Sequence, residues 1–364
     1  MGVALPSIKS TLSLSNLSVS FITIVPLLAF SIISLVASKT GNKLGLNKTI
    51  FCALILIFIG VLIRSLPSVL YLYLGTIFIG IGIALGNVLT PAVIKANFPL
   101  KIGIMTGYYT VVMNIMGSLS SYTTGPLIKQ YNYNISLGII SIITFLAIVV
   151  WAFQLKSKKT TNKVTENDEL NIWKSTIAWR ITLLMGGQSL IFYSLINWLP
   201  AYLQDYGISI KLAGSYLSIL QLAIIPLTFI TPIWATKIKS QVVLTIITGG
   251  MFVIGIVMIM FLPQLAIISI IILGIANGLS FGLANTFFSI KTEKANTAAK
   301  LSGMAQSVGY LFAAIGPLLF GILHDLTHHW WLSLTILLIT ALLMLIFSSN
   351  AGRNQTIEKQ AQSI

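Results

Sequence analysis

The chain has 364 residues, of which 56% are hydrophobic and only 8% are charged, whereas a soluble domain carries about 25% charged residues. So few charges exclude a water-soluble surface, and the single cysteine, Cys52, excludes an intrachain disulfide and a paired-cysteine metal motif. The formal net charge of +15 raises the possibility of an acidic partner, which the placing of the basic residues has to decide.

The opening MGVALPSIKS has no basic stretch followed by an apolar one, and Pro6 stands where a myristoylation signal needs Ser or Thr, so neither cleavage nor lipidation is expected. Beyond it, apolar runs of about twenty residues recur, each long enough to cross roughly 30 Å of hydrocarbon. They predict eleven helical spans, at 18–38, 48–65, 69–94, 102–126, 134–154, 179–203, 212–236, 242–262, 264–290, 300–324 and 329–349. Helices are required because lipid offers the backbone no water, and nothing alternates with period two as a barrel strand would. Cys52 falls within the second span and reads as packing.

Followed through these spans, 18 of the 22 basic residues fall on one side, among them Lys39, Lys95, Lys101, Lys237, Lys291 and Lys359. Lys9, Arg64, Lys129 and Lys211 fall on the other. That asymmetry predicts a cell (inner or plasma) membrane protein with its lysine-rich side and its C-terminus in the cytoplasm. It also removes the case for nucleic acid as a partner. The expected partners are a small-molecule solute and the bilayer, with no cofactor and no metal, and the chain is expected to act as a monomer.

The two halves match without gaps at an offset of 196 residues. Leu66-Pro67 pairs with Leu262-Pro263, Gly82 and Gly86 with Gly278 and Gly282, Ile94-Lys95 with Ile290-Lys291, Thr106-Gly107 with Ser302-Gly303, and Gly125 with Gly321. The offset includes an even number of spans, so both copies face the same way, as parallel transporter repeats do. The expected organisation is an N-terminal repeat over 1–154, a cytoplasmic linker over 155–178, a C-terminal six-helix repeat over 179–349 and a cytoplasmic tail over 350–364. The same frame sets Met1 opposite Asn197, inside a span, so one helix of an expected twelve is missing from the start of the first repeat.

Three stretches carry a family resemblance: GIGIALGNVLTPAVIKANFP at 80–99, QSLIFYSLINWLPAYLQDYGIS at 188–209 and SGMAQSVGYLFAAIGPLLFGILHD at 302–325. Together they resemble the cyanate and nitroimidazole (CynX/NimT) branch of the major facilitator superfamily. The resemblance implies an all-α, two-repeat membrane bundle that moves a small solute by alternating access, and no enzyme activity. The loop motif G-x-x-x-D-R-x-G-R-R of that superfamily is reduced here to a glycine and one basic residue around Ser38, Asn42, Lys43, Leu44, Gly45 and Leu46. Thr76 replaces the Arg expected four residues before Gly80.

Small residues at spacing four, such as Gly82/Gly86, Gly278/Gly282 and Gly117 with Ser121, predict close helix seams. Gly125-Pro126 and Gly316-Pro317 predict bends near the outer ends of two spans. All seven carboxylates, including Asp205, Glu293, Asp325 and Glu358, fall in loops or at span ends, so no acidic proton relay is visible at mid-membrane. His324, His328 and His329 beside Trp330 and Trp331 read as interfacial wetting, and Arg64 and Arg180 as snorkelling anchors at span ends. A binding cavity must then be lined by amides, hydroxyls and aromatic rings. The candidates are Asn87, Tyr108, Tyr109, Asn114, Gln188, Tyr193, Asn197, Trp198, Gln221, Asn277, Asn285, Gln306 and Tyr310. Of these, Asn87, Asn114, Gln188, Tyr193, Asn197, Gln306 and Tyr310 are the expected solute-binding set, with Asn114 and Tyr310 equivalent in the repeat. Each buried amide is either interhelical glue or solute-facing. The leading expectation is transport of a small polar or anionic, cyanate-like solute; a drug or nitroimidazole exporter and an inactive truncated transporter are the alternatives.

Overall fold

The computed structural model describes residues 5–14, 16–155 and 170–362; most of the expected linker, 156–169, lies outside the described residues. Among those described there is no strand. In chain order the helices are α1 (Leu5–Thr11), α2 (Asn16–Leu44), α3 (Leu46–Arg64), α4 (Val69–Asn97), α5 (Ile102–Gln130), α6 (Tyr133–Gly138) and α7 (Ile140–Leu155). The second half holds α8 (Thr176–Asp205), α9 (Ile210–Lys237), α10 (Val242–Phe261), α11 (Ala266–Ile290), α12 (Ala295–Thr327), α13 (Trp331–Leu343) and α14 (Ile357–Gln362). A π turn over Met344–Ser348 and a 3-10 turn over Ser349–Gly352 prolong α13. Each of the eleven predicted spans falls on one of these helices, with α6 and α7 together making the fifth and α13 with its turns the last.

Among the described residues, nine of the spans are long and apolar enough to cross a membrane by length and composition. α5 and α8 are 29 and 30 residues long and carry more polar residues, among them Thr106, Thr110 and Asn114 in α5 and Gln188, Ser189 and Asn197 in α8. Outward-facing apolar side chains such as Val150 and Phe153, about 70% exposed, meet lipid at no cost because the tails are as apolar as they are.

The local sequence explains the breaks. Gly45 separates α2 from α3 at φ 89, a conformation that side chains with a Cβ resist, so the chain reverses within one residue. Ser175 and Asn132 cap α8 and α6, each side chain accepting from a backbone amide three residues on, at 3.2 and 2.9 Å. Helix starts repeat at nearly the sequence offset: α3 begins at Leu46 and α10 at Val242, 196 residues later, while α4 begins at Val69 and α11 at Ala266, 197 later.

The largest buried cluster runs from Ile172 to Ile357 and includes Phe252, Phe287 and Phe288. Three smaller clusters serve the first half, and one of them, around Ile50, Leu89 and Ala92, reaches across to Ala299 of α12. The predicted glycine seams hold in part. A Cβ on Gly82 would come within 2.6 Å of the Ala53 carbonyl oxygen in α3, and one on Gly278 within 2.6 Å of that of Ile224 in α9, whereas Gly86 and Gly117 face open space. Arg64 corrects the sequence reading. It does not snorkel but is buried at the end of α3, against α4, where Gly75 leaves it room.

Candidate functional site

Midway along the long helices lies a cavity of about 330 Å³, at the small end of the roughly 300–1,000 Å³ typical of ligand pockets. Pro26, Leu27 and Phe30 of α2, Ile83 and Asn87 of α4, and Met113 and Asn114 of α5 line one side. The other side is built from Gln188, Phe192 and Tyr193 of α8, Ile224 of α9, Asn277 and Phe281 of α11, and Tyr310 of α12. Phe30, Asn277 and Tyr310 sit within one residue of the midpoints of their helices, so the cavity is shared by both halves at about half the depth of the bundle.

Of the seven expected residues, Asn87, Asn114, Gln188, Tyr193 and Tyr310 line this cavity. Asn277, which had been in the wider set, joins them. Gln306 and Asn197 do not. Gln306 is one turn nearer the lysine-rich end than Tyr310 and donates to the Asn87 carbonyl (3.2 Å) and to the Ser302 hydroxyl (2.7 Å), which makes it glue between the halves. Asn197 lies one turn beyond Tyr193 on nearly the same stripe of α8, farther from the lysine-rich end and outside the cavity. It is exposed there and donates to the Tyr193 carbonyl of its own helix at 2.7 Å.

The polar groups around the cavity form a partly connected set. The Tyr109 hydroxyl donates to Asn87 Oδ1 (2.7 Å), behind the lining. Asn114 Nδ2 donates to the Thr110 carbonyl (2.8 Å) and, across the halves, to Thr228 Oγ1 (3.4 Å). Gln188 Nε2 donates to Asn277 Oδ1, and Ser189 Oγ donates to Gln188 Oε1, both at 3.4 Å. These long contacts sit near the limit at which a hydrogen bond retains strength, so the amides can turn toward a solute. The rings of Phe30 and Tyr310 close the gap between α2 and α12, their centroids 4.1 Å apart. No Lys, Arg, Asp or Glu lines the cavity among the described residues.

Among the described residues, hydrogen bonds between the halves cluster from the cavity toward the lysine-rich end. Lys95 Nζ, at the end of α4, donates to the carbonyls of Ser289 (2.8 Å) and Thr292 (2.6 Å) at the end of α11. Ser289 Oγ returns a bond to the Pro91 carbonyl (3.1 Å), and Asn42 Nδ2 donates to Asn296 Oδ1 (2.6 Å). Thr110 Oγ1 donates to the Thr228 carbonyl (2.8 Å) where α5 crosses α9. The Lys95 contact is not legible in the sequence, since a lysine at a span end reads only as an orientation signal. Its repeat equivalent, Lys291, behaves differently and stays within the second half, donating to Gln241 Oε1 and to the Arg353 carbonyl, each at 2.6 Å.

At the opposite end, His324 stacks on Trp330 with centroids 3.8 Å apart and lies 3.7 Å from Asp205 and 3.6 Å from Asp325. The Trp330 indole donates to the same Asp205 oxygen at 2.7 Å. No group of three or more His, Cys, Asp or Glu residues is placed to hold a metal among the described residues.

Comparison with known proteins gives the architecture its context. The sequence profile of the Major Facilitator Superfamily matches residues 1–314. The 2-nitroimidazole transporter of Escherichia coli (strain K12) is 38% identical over 356 residues, covering 97% of this chain and 91% of that protein. The cyanate transport protein CynX of the same strain is 21% identical, over 91% of this chain and 86% of its own. Among solved structures, the proton:xylose symporter XylE bound to 6-bromo-6-deoxy-D-glucose superposes with a TM-score of 0.81 at 15% identity, covering 100% of this chain and 94% of that one; at that identity only the fold is shared. With two bundled halves, a polar cavity between them at mid-depth and a family profile spanning most of its length, the chain belongs to the Major Facilitator Superfamily: it is a multi-pass membrane transporter for a small solute, not an enzyme.

Proposed function

We propose that the transported solute is a small, planar, uncharged polar heteroaromatic molecule of the nitroimidazole kind. The observation that carries this reading is the cavity wall. Phe30, Phe192, Phe281, Tyr193 and Tyr310 offer ring faces and edges, Asn87, Asn114, Gln188 and Asn277 offer amides, and no cation faces inward among the described residues. Rings stack on rings, and a few amides fix orientation. A bare anion such as cyanate would lose its hydration without gaining a countercharge, which costs several kcal/mol. The greater similarity to a nitroimidazole transporter than to a cyanate transporter, 38% against 21% identity, supports the same choice.

In this reading the lysine-rich end faces the cytoplasm of a cell-membrane protein, the C-terminus lies inside, and the inter-half bonds from Asn87 to Lys95 keep that side shut while the other side admits solute. The two halves rock about the cavity to exchange access. One chain supplies both walls, so a monomer suffices. The test is uptake and efflux of labelled 2-nitroimidazole and labelled cyanate in proteoliposomes. The expected result is saturable movement of the nitroimidazole that cyanate does not compete. Saturable cyanate transport with no nitroimidazole flux would overturn the assignment.

A further inference from the structure

At the lysine-rich end a larger hollow, of about 660 Å³, opens between the start of α5 and the end of α9, with the α11–α12 turn and the C-terminal segment behind it. Lys101, Lys237, Lys239, Lys291 and Lys359 line it, and no Asp or Glu does. Glu293, next to the hollow in sequence, is engaged with Lys359 (3.8 Å) and accepts from Thr356 Oγ1 (3.0 Å), while Glu358 accepts from the Lys294 amide (3.1 Å). Lys101, Lys237 and Lys239 have no carboxylate partner among the described residues. The Lys291 ammonium donates to the neutral oxygens of Gln241 and Arg353 and lies 5.2 Å from the centre of the Phe287 ring. Like charges facing one hollow repel one another, and an anion seated among them turns that repulsion into attraction.

The hollow is not a purely aqueous site. Leu100, 97% exposed, Ile104 and Ile238 stand uncovered beside the lysines. Apolar side chains next to ammonium groups at the end of membrane-crossing helices complement a molecule with a phosphate and acyl chains, and basic pockets between helices on this kind of face hold anionic headgroups. A free phosphate would leave the apolar rim unexplained.

We propose that this hollow binds the phosphate headgroup of an anionic phospholipid, with Lys101 of the first half and Lys237 and Lys239 of the second as its cationic walls. A lipid held there bridges α5 and α9, which already touch closely. A Cβ on Gly103 would lie 2.6 Å from the Pro232 carbonyl oxygen. The bound lipid therefore favours the state in which this end is closed.

The test is a thermal-melting titration of the delipidated, detergent-solubilised full chain with short-chain phosphatidylglycerol, phosphatidylcholine or inorganic phosphate. It compares wild type with the triple variant Lys101→Gln/Lys237→Gln/Lys239→Gln and a charge-matched control, Lys39→Gln/Lys43→Gln/Lys48→Gln. Phosphatidylglycerol is expected to raise the wild-type melting temperature at concentrations at least tenfold below those needed for phosphatidylcholine. The hollow variant should lose most of that preference, and the control should keep it. Equal effects of the two lipids, equal losses in both triple variants, or a matching shift from inorganic phosphate would each overturn the proposal.

Discussion

Replacing Lys95 by Gln removes the cation that ties the end of α4 to the end of α11. In the structure its ammonium donates to two carbonyls, at 2.8 and 2.6 Å, and both lie in the last turn of α11 or just beyond it, where the helix dipole presents negative charge. Hydrogen bonds from a charged group contribute about 1.5–3 kcal/mol each, and two on one group are not additive. A loss of about 2–4 kcal/mol from the closed arrangement is expected, or about 30- to 700-fold in the ratio of closed to open at that end, since about 1.4 kcal/mol is tenfold. Spin labels on Asn97→Cys at the end of α4 and Lys239→Cys beyond α9, in a Cys52→Ser background, report the separation of the halves there, because both positions are exposed. Lys95→Gln should add a longer distance that Lys95→Arg largely lacks. Superimposable distance distributions in wild type and Lys95→Gln would show that the contact holds nothing shut, and the reasoning would fall with it.

Other consequences follow from single contacts. Gly303 of α12 packs on α2, where a Cβ would sit 2.5 Å from the Ser34 carbonyl oxygen. Overpacking typically costs about 1–3 kcal/mol, so Gly303→Val should favour the open arrangement by about 5- to 150-fold in the same spin-label assay; an unchanged distribution would refute it. If Asn114 and Gln188 bind solute as proposed, Asn114→Ala and Gln188→Ala each remove a hydrogen bond to it that contributes about 0.5–1.5 kcal/mol. KM in proteoliposome uptake should rise by about two- to tenfold, with the melting temperature little changed, whereas identical kinetics in both would remove these residues from the site. Lys291, just beyond α11, is buried, and that burial pushes its pKa down from 10.5 to about 8. Between those two values the unfolded chain binds the extra proton, so this residue's contribution to stability rises with pH in that window. Wild type should gain in melting temperature relative to Lys291→Gln from pH 7 to pH 9.5, and parallel curves would contradict the assignment.

Much of this architecture was legible in the residues because lipid enforces simple rules. Every apolar run of span length became a helix, and the 196-residue offset reappears in the starts of α3 and α10. Amides at mid-span mark the cavity for the same reason, since an unpaired amide in lipid is expensive and must find a partner or a solute. The depth of the cavity along each helix was harder to read. Asn197 lies one turn past Tyr193 at one end of the cavity and Gln306 one turn past Tyr310 at the other, because where the helices part to leave a cavity is fixed by packing with helices far away in sequence. The burial of Arg64 was hidden for a related reason, as the room for it comes from Gly75 on the next helix. Lys95 and the basic hollow were invisible because charge counts give a side of the membrane and not a neighbour, and the neighbours of Lys95 are carbonyls almost 200 residues away.

The claim on which the rest depends is that solute binds in the cavity shared by the two halves and reaches it from the end opposite the lysines. A cysteine replacing Ser189, a small lining residue of α8, in a Cys52→Ser background measures this most directly. The reagent is a membrane-impermeant maleimide, applied to right-side-out and inside-out vesicles with and without saturating 2-nitroimidazole. Labelling predominantly from the outer face, slowed by the solute, is the expected result. Labelling that is insensitive to a solute the variant still transports, or that proceeds only from the lysine-rich face, would contradict the account.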